Sequence, residues 1–173
     1  MTKIINLFAG PGAGKSTTAA LLFGRMKLLG YNVELVTEFA KRLTWEKRHT
    51  TLNNQAYIFG KQLHYLDNVV GQVDYIVTDS PILLSAIYCP ENYPKSFNKC
   101  VVGIFNRYEN LNFFIERVKP YNPIGRNQTE GEAVNIDNKI CNFLRDNLIY
   151  HHRLSGDENA PGKILEVIKS KER

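Results

Sequence analysis

Short apolar segments alternate with longer amphipathic segments along most of this sequence. Most of the apolar segments are rich in β-branched or aromatic residues and end at polar or turn-forming residues, which is typical of buried strands in a parallel sheet. The strands predicted in this way cover residues 3–5, 32–37, 74–78, 112–118 and 148–154.

Between these segments, apolar residues recur at helical spacing. Leu22 and Met26 lie on one predicted helix face, and Gly30 stands where a C-terminal cap glycine is expected. Thr129 and Glu132 form a predicted capping box at the start of a later helix. The predicted helices cover residues 14–29, 39–49, 52–70, 97–108, 129–147 and 163–171, and a further helix is predicted to begin at Ser80-Pro81.

This alternation predicts the fold class. Strands separated by helices at this spacing pair in parallel through right-handed crossovers, which gives an α/β fold, a three-layer α/β/α sandwich. A chain of 173 residues suits a single domain, residues 1–173. Ligands of such sheets bind at the carboxyl ends of the strands, where Glu38, Asp79 and the loop after Val118 are expected to lie.

A glycine-rich turn follows the first strand and ends in Gly-Lys-Ser-Thr. Such a loop lets backbone N–H groups converge on nucleotide phosphates, and the following helix adds the positive end of its dipole. Lys15 is expected to reach the β and γ phosphates, and Ser16 to bind Mg²⁺. The first glycine position of G-x-x-x-x-G-K-[ST] is Ala9, so the turn there must be one that an L-residue adopts. The predicted nucleotide-binding residues are Gly10, Pro11, Gly12, Ala13, Gly14, Lys15, Ser16 and Thr17.

Composition narrows the class of protein without identifying a partner. A hydrophobic share of 43% and a charged share of 23% are ordinary for a soluble globular protein. No apolar run approaches the roughly 20 residues of a membrane span, and no secretory signal is recognisable, so we expect a cytoplasmic protein without a membrane partner. The net charge of +5 suits a nucleotide or a nucleic acid, but also a solvated surface. Composition leaves the oligomeric state open.

Two acidic residues follow strands at the predicted binding edge. Asp79 is expected to bind Mg²⁺ directly or through water, and its alternative role is to cap a helix beside Pro81. Glu38 is expected to accept the proton of a substrate hydroxyl, and its alternative role is a surface ion pair with Lys41 or Arg42. Together with Lys15 and Ser16, these residues supply the parts that phosphoryl transfer requires.

The segment of residues 119–128 is rich in turn formers and is predicted to form a lid over the phosphates. Arg117, Lys119 and Arg126 flank or lie in it, and closure of these cations would stabilise developing charge and exclude water. Their alternative is a solvated, flexible loop. Weaker candidates for contacts with the phosphate or base of the acceptor are Arg42, Arg48, Arg107, Trp45, Tyr57, Phe59 and Tyr65.

Over nearly its whole length the chain resembles small P-loop kinases of the nucleoside and nucleotide kinase group. It looks most like the branch of ribosylnicotinamide kinases and bacteriophage kinases. The anchors are residues 10–17, 38–42, 78–81 and 125–128. The resemblance implies a P-loop NTPase of the NMP-kinase-like type with strand order 2-3-1-4-5, ATP and Mg²⁺ as cofactors, and adenine near residues 155–157. It also implies Glu38 as the base and Arg126 as a lid residue on ATP phosphates.

Three functions stay open at this stage. The first is a kinase that acts on a hydroxyl or phosphate of a nucleoside-like or nucleotide-like small molecule. The second is a phage-type kinase that phosphorylates a hydroxyl of DNA, at a strand end or on a hydroxymethylated base; a flat groove would favour it, and a pocket sized for one nucleoside would disfavour it. The third is a nucleotide-dependent regulator, although the Asn-Lys-x-Asp pattern of GTPases does not occur in the sequence.

Overall fold

The fold is built on one parallel sheet. The computed structural model of the chain describes residues 1–124 and 128–172, and its five strands pair in the order β2-β3-β1-β4-β5. The strands are β1 (Lys3–Phe8), β2 (Val33–Val36), β3 (Tyr75–Thr78), β4 (Glu109–Glu116) and β5 (His152–Ser155). The predicted fold class and strand order are therefore confirmed.

Helices cover both faces of the sheet in the described residues. Helices α1 (Lys15–Leu28) and α8 (Ala160–Lys171) pack on one face, and their buried residues share one apolar cluster with the sheet. The opposite face is covered by helices α4 (Gln55–Asp67), α5 (Leu84–Ile87), α6 (Lys95–Phe105) and α7 (Glu130–Asp146). Two short helices, α2 (Phe39–Trp45) and α3 (His49–Leu52), lie between β2 and α4. In residues 1–124 and 128–172, no helix has the length and apolar character needed to cross a bilayer.

The central strand shows why the sheet is buried on both faces. Ile5 and Leu7 of β1 belong to the cluster under α1 and α8, whereas Ile4 and Phe8 belong to the cluster on the other face. Asn6 is a polar residue in this apolar strand and is only 2% exposed. Its amide donates to Asn110 Oδ1 at 2.8 Å and to Asn112 Oδ1 at 3.0 Å, both on β4. These bonds satisfy the buried amide and join the two strands.

Several predicted boundaries were wrong, and local backbone geometry explains two of them. Ser80 does not cap a helix: α5 begins only at Leu84, because residues 81–84 form a turn in which Leu84 N donates to Pro81 O at 2.9 Å. Leu148, the predicted start of the last strand, has a φ of 56° and closes the turn after α7. β5 therefore begins at His152.

Other predicted boundaries shift by a few residues. The segment predicted as one helix over 39–49 is interrupted near Lys47, where φ is 56°, and continues as α3. Helix α4 begins at Gln55 rather than at 52, because the Asn54 side chain accepts a bond from Tyr57 N and caps the helix. The capping box of Thr129 and Glu132 at the start of α7 is present as predicted. The C-terminal glycine after α1, Gly30, has a φ of 82°.

Candidate active site

The glycine-rich loop lies between β1 and α1 at the carboxyl edge of the sheet. Gly12 and Gly14 have φ values of 80° and 104°, a region that side chains other than glycine rarely adopt. Ala9, at the first glycine position of the motif, is fully buried and has no positive φ. The Lys15 ammonium donates to Ala9 O at 2.8 Å and to Gly10 O at 3.2 Å. Backbone geometry thus forms a cradle whose amides suit an anion.

Burial and the nearby negative charges shift the pKa of Lys15 in opposite directions. Burial lowers the pKa of Lys15, and the negative charges of Glu38, Asp79 and Asp137 partly oppose this by raising it. Three carboxylates thus act on one partly buried lysine. The ammonium is held by two carbonyl oxygens of its own loop.

Ser16 and Asp79 are brought into direct contact. Ser16 Oγ donates to Asp79 Oδ2 at 2.5 Å, and Asp79 is only 4% exposed. The other oxygen, Asp79 Oδ1, accepts from Glu38 N at 3.1 Å, which ties the end of β3 to the end of β2. A hydroxyl and a carboxylate are hard oxygen donors of the kind that Mg²⁺ takes, with waters and substrate phosphates as its other ligands. These two side chains therefore fit the predicted metal.

Glu38 is held at the end of β2 by backbone contacts. Phe39 N donates to Gln62 Oε1 at 3.0 Å, and Gln62 Nε2 donates to Thr37 O at 3.3 Å, so one buried amide of α4 fixes the turn on both sides of Glu38. In the part of the chain that the structure describes, no ion pair within 4.0 Å involves Glu38. Its carboxylate lines the main cavity instead of pairing at the surface.

Burial raises the pKa of the Glu38 carboxyl, and the negative charge of Asp79 raises it further, while Lys15 and Lys41 oppose the shift. Because the folded-state pKa lies above the ordinary value, Glu38 favours folding most when protonated, and this contribution is lost as pH rises above 4.5. We therefore expect Glu38→Gln to gain stability relative to the unmodified chain between pH 4.5 and pH 8. Urea unfolding of both proteins across this range measures the difference.

The matched control is Glu166→Gln, which changes an exposed glutamate of α8. It should follow the unmodified chain at every pH. If the unfolding free-energy difference between Glu38→Gln and the unmodified chain stays constant with pH, ionisation of Glu38 does not destabilise the folded state.

Arg117, just after β4, lies beside the glycine-rich loop. Its side chain is only 13% exposed and pairs with Asp137 of α7 at 2.9 Å. Its guanidinium also lies over the Tyr121 ring, 5.9 Å from the centroid. Lys119 is exposed at the surface, and Arg126 lies outside the described residues. The structure therefore places one of the three predicted lid cations at the loop.

A cavity of about 530 Å³ joins the glycine-rich loop to the segment between β2 and α5. Lys15, Ser16 and Glu38 line the cavity together. Its other walls come from α2, α3, α4, α5 and the connections beside them, and from Ile124 and Gln128 of the predicted lid segment. Of the predicted aromatic residues, Trp45 lines it. The other aromatic residues pack elsewhere: Phe59 contacts Phe97 edge to face, and Tyr57 and Tyr65 pack against Phe39. The described lining of the cavity does not include the three predicted arginines Arg42, Arg48 and Arg107.

Three residues of this site were not predicted from the sequence. Asp137 and Gln62 each lie on the buried face of an amphipathic helix, Asp137 between Ala133 and Ile140. A polar residue at a core position is a signal that the sequence does contain. Tyr88 lines the cavity just after α5, where the sequence gives no signal. Burial raises the pKa of its hydroxyl, and the charges of Glu38 and Asp137 raise it further.

Gly156, after β5, packs against the back of the glycine-rich loop. A Cβ at this position would lie 2.5 Å from Ala13 O and 2.8 Å from Glu116 O, both backbone atoms that cannot rotate away. We expect Gly156→Ala to destabilise the fold by about 1–3 kcal/mol, as overpacking does. Chemical denaturation measures this. Gly60→Ala on α4 is the control, because a Cβ there meets no atom within 4 Å, and equal stabilities of the two variants would contradict the close approach.

Comparisons with known proteins agree on the fold. The thymidylate kinase of Ehrlichia chaffeensis has a TM-score of 0.66 at 13% identity, covering 97% of this chain and 100% of that chain. The deoxyadenosine kinase of M. mycoides with bound dATP has a TM-score of 0.59 at 16% identity, with coverages of 98% and 100%. An APS kinase mutant of Mycobacterium tuberculosis has a TM-score of 0.52 at 14% identity, with coverages of 99% and 98%. At these identities, the likeness shows the fold alone.

No curated protein matches the chain in sequence. A protein-family model does: the model described as AAA domain matches residues 4–160. The match begins in β1 and ends at the start of α8, so it includes the glycine-rich loop, the Ser16–Asp79 contact and the Glu38 turn. The chain therefore belongs to the family of AAA-domain proteins defined by this model.

Proposed function

We propose that this protein is a P-loop kinase that transfers a phosphoryl group from ATP to a hydroxyl of a nucleoside-like small molecule. The observation that carries the proposal is the composition of one cavity. Lys15 and Ser16 of the glycine-rich loop line it together with Glu38, a carboxylate whose pKa is raised by burial. A phosphate cradle and a candidate general base therefore share one space.

The glycine-rich loop is proposed to bind the triphosphate through its amides and Lys15. Ser16 and Asp79 are the residues that would hold Mg²⁺, which when bound neutralises charge on the β and γ phosphates. The contact between Ser16 Oγ and Asp79 Oδ2 places both donors at one point beside the loop.

Glu38 is proposed to accept the proton of the acceptor hydroxyl. Its raised pKa improves it as a base near neutral pH, because a general base works best when its pKa approaches the operating pH. Its position is set by Gln62, which bonds the backbone on both sides of it, and by the bond from Glu38 N to Asp79. These backbone bonds fix the base beside the proposed metal site.

The cavity favours an acceptor without its own phosphate. Among the described residues that line it, the lysines are Lys15 and Lys41, and Lys15 belongs to the loop. Proteins commonly bind a phosphate dianion with arginine forks, and the described part of this wall contributes none. The proposed acceptor is therefore a nucleoside-like molecule with a free hydroxyl.

The size of the cavity favours a small molecule over DNA. A volume of about 530 Å³ lies in the range of roughly 300–1,000 Å³ typical of small-molecule sites. The solved structures with a similar fold include two kinases whose names give deoxyadenosine and thymidylate as substrates. These observations support a kinase of a small nucleoside-like or nucleotide-like acceptor, with ATP and Mg²⁺, over the DNA kinase and the regulator; the preference for an acceptor without a phosphate rests on the residues that line the cavity.

The test is transfer of label from γ-labelled ATP with magnesium. Purified protein is incubated with separate pools of nucleosides, nucleoside monophosphates, nicotinamide riboside and DNA, with and without hydroxymethylated bases. Label in the nucleosides or nicotinamide riboside is expected. Label in monophosphates alone would overturn the acceptor class. Label in DNA alone would favour the DNA kinase, and release of phosphate to water in every pool would favour the regulator.

A further inference from the structure

One carboxylate of α7 joins the glycine-rich loop to Arg117. Asp137 Oδ1 accepts from Gly10 N at 2.5 Å, at the first turn of the loop. Asp137 Oδ2 accepts from Arg117 Nη2 at 2.9 Å and from Arg117 Nε at 3.2 Å. The two oxygens of one side chain therefore hold the backbone of the loop and the guanidinium that follows β4.

This ion pair is largely shielded from water. The Arg117 side chain is 13% exposed and the Asp137 side chain 16% exposed. Charge-assisted bonds in such a setting are stronger and more directional than those of exposed pairs, which are worth little. Two donors of the guanidinium bind one carboxylate, so the plane of the guanidinium is fixed rather than free to rotate.

The remaining end of the guanidinium is its Nη1 nitrogen. Arg117 Nη1 is buried and makes no hydrogen bond in the part of the chain that the structure describes. It points to the glycine-rich loop: a Cβ on Gly12 would lie 3.2 Å from it. Buried N–H groups are nearly always satisfied, so an orphan donor beside an anion cradle calls for an anionic partner.

The Tyr121 ring closes the other side of this arrangement. A Cβ on Gly12 would lie 2.9 Å from Tyr121 Cδ2, so the ring packs directly on the loop. The same ring lies under the Arg117 guanidinium, and the Tyr121 hydroxyl donates to Gln128 O. Arg117 is therefore confined between a carboxylate and an aromatic ring, with Nη1 directed at the loop.

We propose that Asp137 is a positioning residue: it holds the Arg117 guanidinium so that Nη1 donates to a phosphate of the nucleotide bound in the glycine-rich loop. This inference rests on the nucleotide binding that the proposed function requires, but not on any acceptor. Holding the guanidinium in advance lowers the ordering cost on binding, which is the usual benefit of preorganisation.

The test is a double-mutant cycle on nucleotide affinity, measured calorimetrically with ATP and magnesium and without acceptor. Arg117→Met should weaken ATP binding about tenfold or more, as expected for a lost charge-assisted bond. Asp137→Asn should weaken it several-fold. In the Arg117→Met background, Asp137→Asn should change the affinity by less than about twofold, because Asp137 acts through Arg117.

A purely structural role predicts a different result. If Asp137 served only to hold Gly10, Asp137→Asn would weaken ATP binding equally in both backgrounds, and the inference would be overturned. Asp146→Asn, an exposed aspartate on the same helix, is the matched control and should bind ATP normally. Circular dichroism of each variant reports folding.

Arg117→Lys tests the inference even if Asp137→Asn fails to fold. It keeps the charge but loses the fork and Nη1, so ATP binding should fall nearly as far as in Arg117→Met. Wild-type affinity in both Arg117 variants would overturn the inference while leaving the proposed kinase function intact. If the variants change ATP binding as expected but the protein labels no acceptor, the proposed function is overturned and this inference still holds.

Discussion

Replacing Lys15 with alanine is expected to abolish phosphoryl transfer, lowering turnover by about 10³-fold or more, the upper range for loss of one stabilising charge. The Lys15 ammonium lies at the phosphate cradle, bonded to two carbonyls of the loop itself. Three carboxylates, those of Glu38, Asp79 and Asp137, act on it electrostatically. Without Lys15 the negative charges of Glu38 and Asp79 would face the nucleotide without this cation between them, whereas Asp137 would keep its ion pair with Arg117. Both binding and transfer should therefore suffer. Initial rates of label transfer from ATP measure the loss.

The control for this variant is Lys139→Ala, which removes an exposed lysine of α7. Both variants lose one positive charge, so they have the same net charge. It should transfer phosphate at the unmodified rate. Circular dichroism and thermal unfolding of Lys15→Ala show whether the loss is chemical, since the change also leaves Ala9 O and Gly10 O without their present donor. Retention of a tenth or more of the activity by a folded Lys15→Ala protein would contradict the proposed role.

Glu38→Gln is expected to reduce turnover about 10²-fold or more while leaving ATP affinity unchanged, as for loss of a general base. Glutamine has nearly the same shape, and the contacts that hold this turn, from Glu38 N to Asp79 and from Phe39 N to Gln62, use the backbone. The substitution therefore removes the proton-accepting carboxylate while the side chain and the turn keep their positions. The readouts are turnover at saturating ATP and its dependence on pH.

A pH profile separates loss of the base from misplacement of the acceptor. Turnover of the unmodified chain should fall as pH drops through the raised pKa of Glu38, and this acid limb should vanish in Glu38→Gln. Glu34→Gln, on the strand β2 that leads to Glu38, is the matched control and should keep both the rate and the acid limb. Turnover of Glu38→Gln at the wild-type level would reject the assignment of Glu38 as the base.

The sequence allowed the sheet and the placement of its binding edge to be predicted because both depend on local patterns. Apolar runs buried on both faces predicted the strands, and their parallel orientation placed the loops after them at one edge of the sheet. The strand order came from the resemblance to P-loop kinases. That is why Ser16, Glu38 and Asp79, far apart in sequence, could be expected at one edge, where the structure brings them within hydrogen-bonding reach. Their catalytic roles remain predictions.

What the sequence did not reveal depends on tertiary contacts across long separations. Asp137 bonds a loop 127 residues away, and its only local signal is its place on the buried face of α7. Gln62 gives the same weak signal on α4, and Tyr88 gives none. The wrong helix start at Ser80-Pro81 has a similar origin, because a favourable cap sequence is overridden by the turn that leads into α5.

The most direct measurement is a crystal structure of the protein with magnesium and a non-hydrolysable ATP analogue. The amides from Gly12 to Thr17 and the Lys15 ammonium should surround the phosphate groups, because the Gly10 amide is bonded to Asp137 and Pro11 has no N–H. The metal ion should be bound by Ser16 and lie next to Asp79, directly or through water. The Glu38 carboxylate should face the terminal phosphate across the remaining cavity. A cradle without nucleotide at saturating concentration, or an Asp79 carboxylate turned away from a bound nucleotide and its metal, would contradict the proposal that this chain is a kinase.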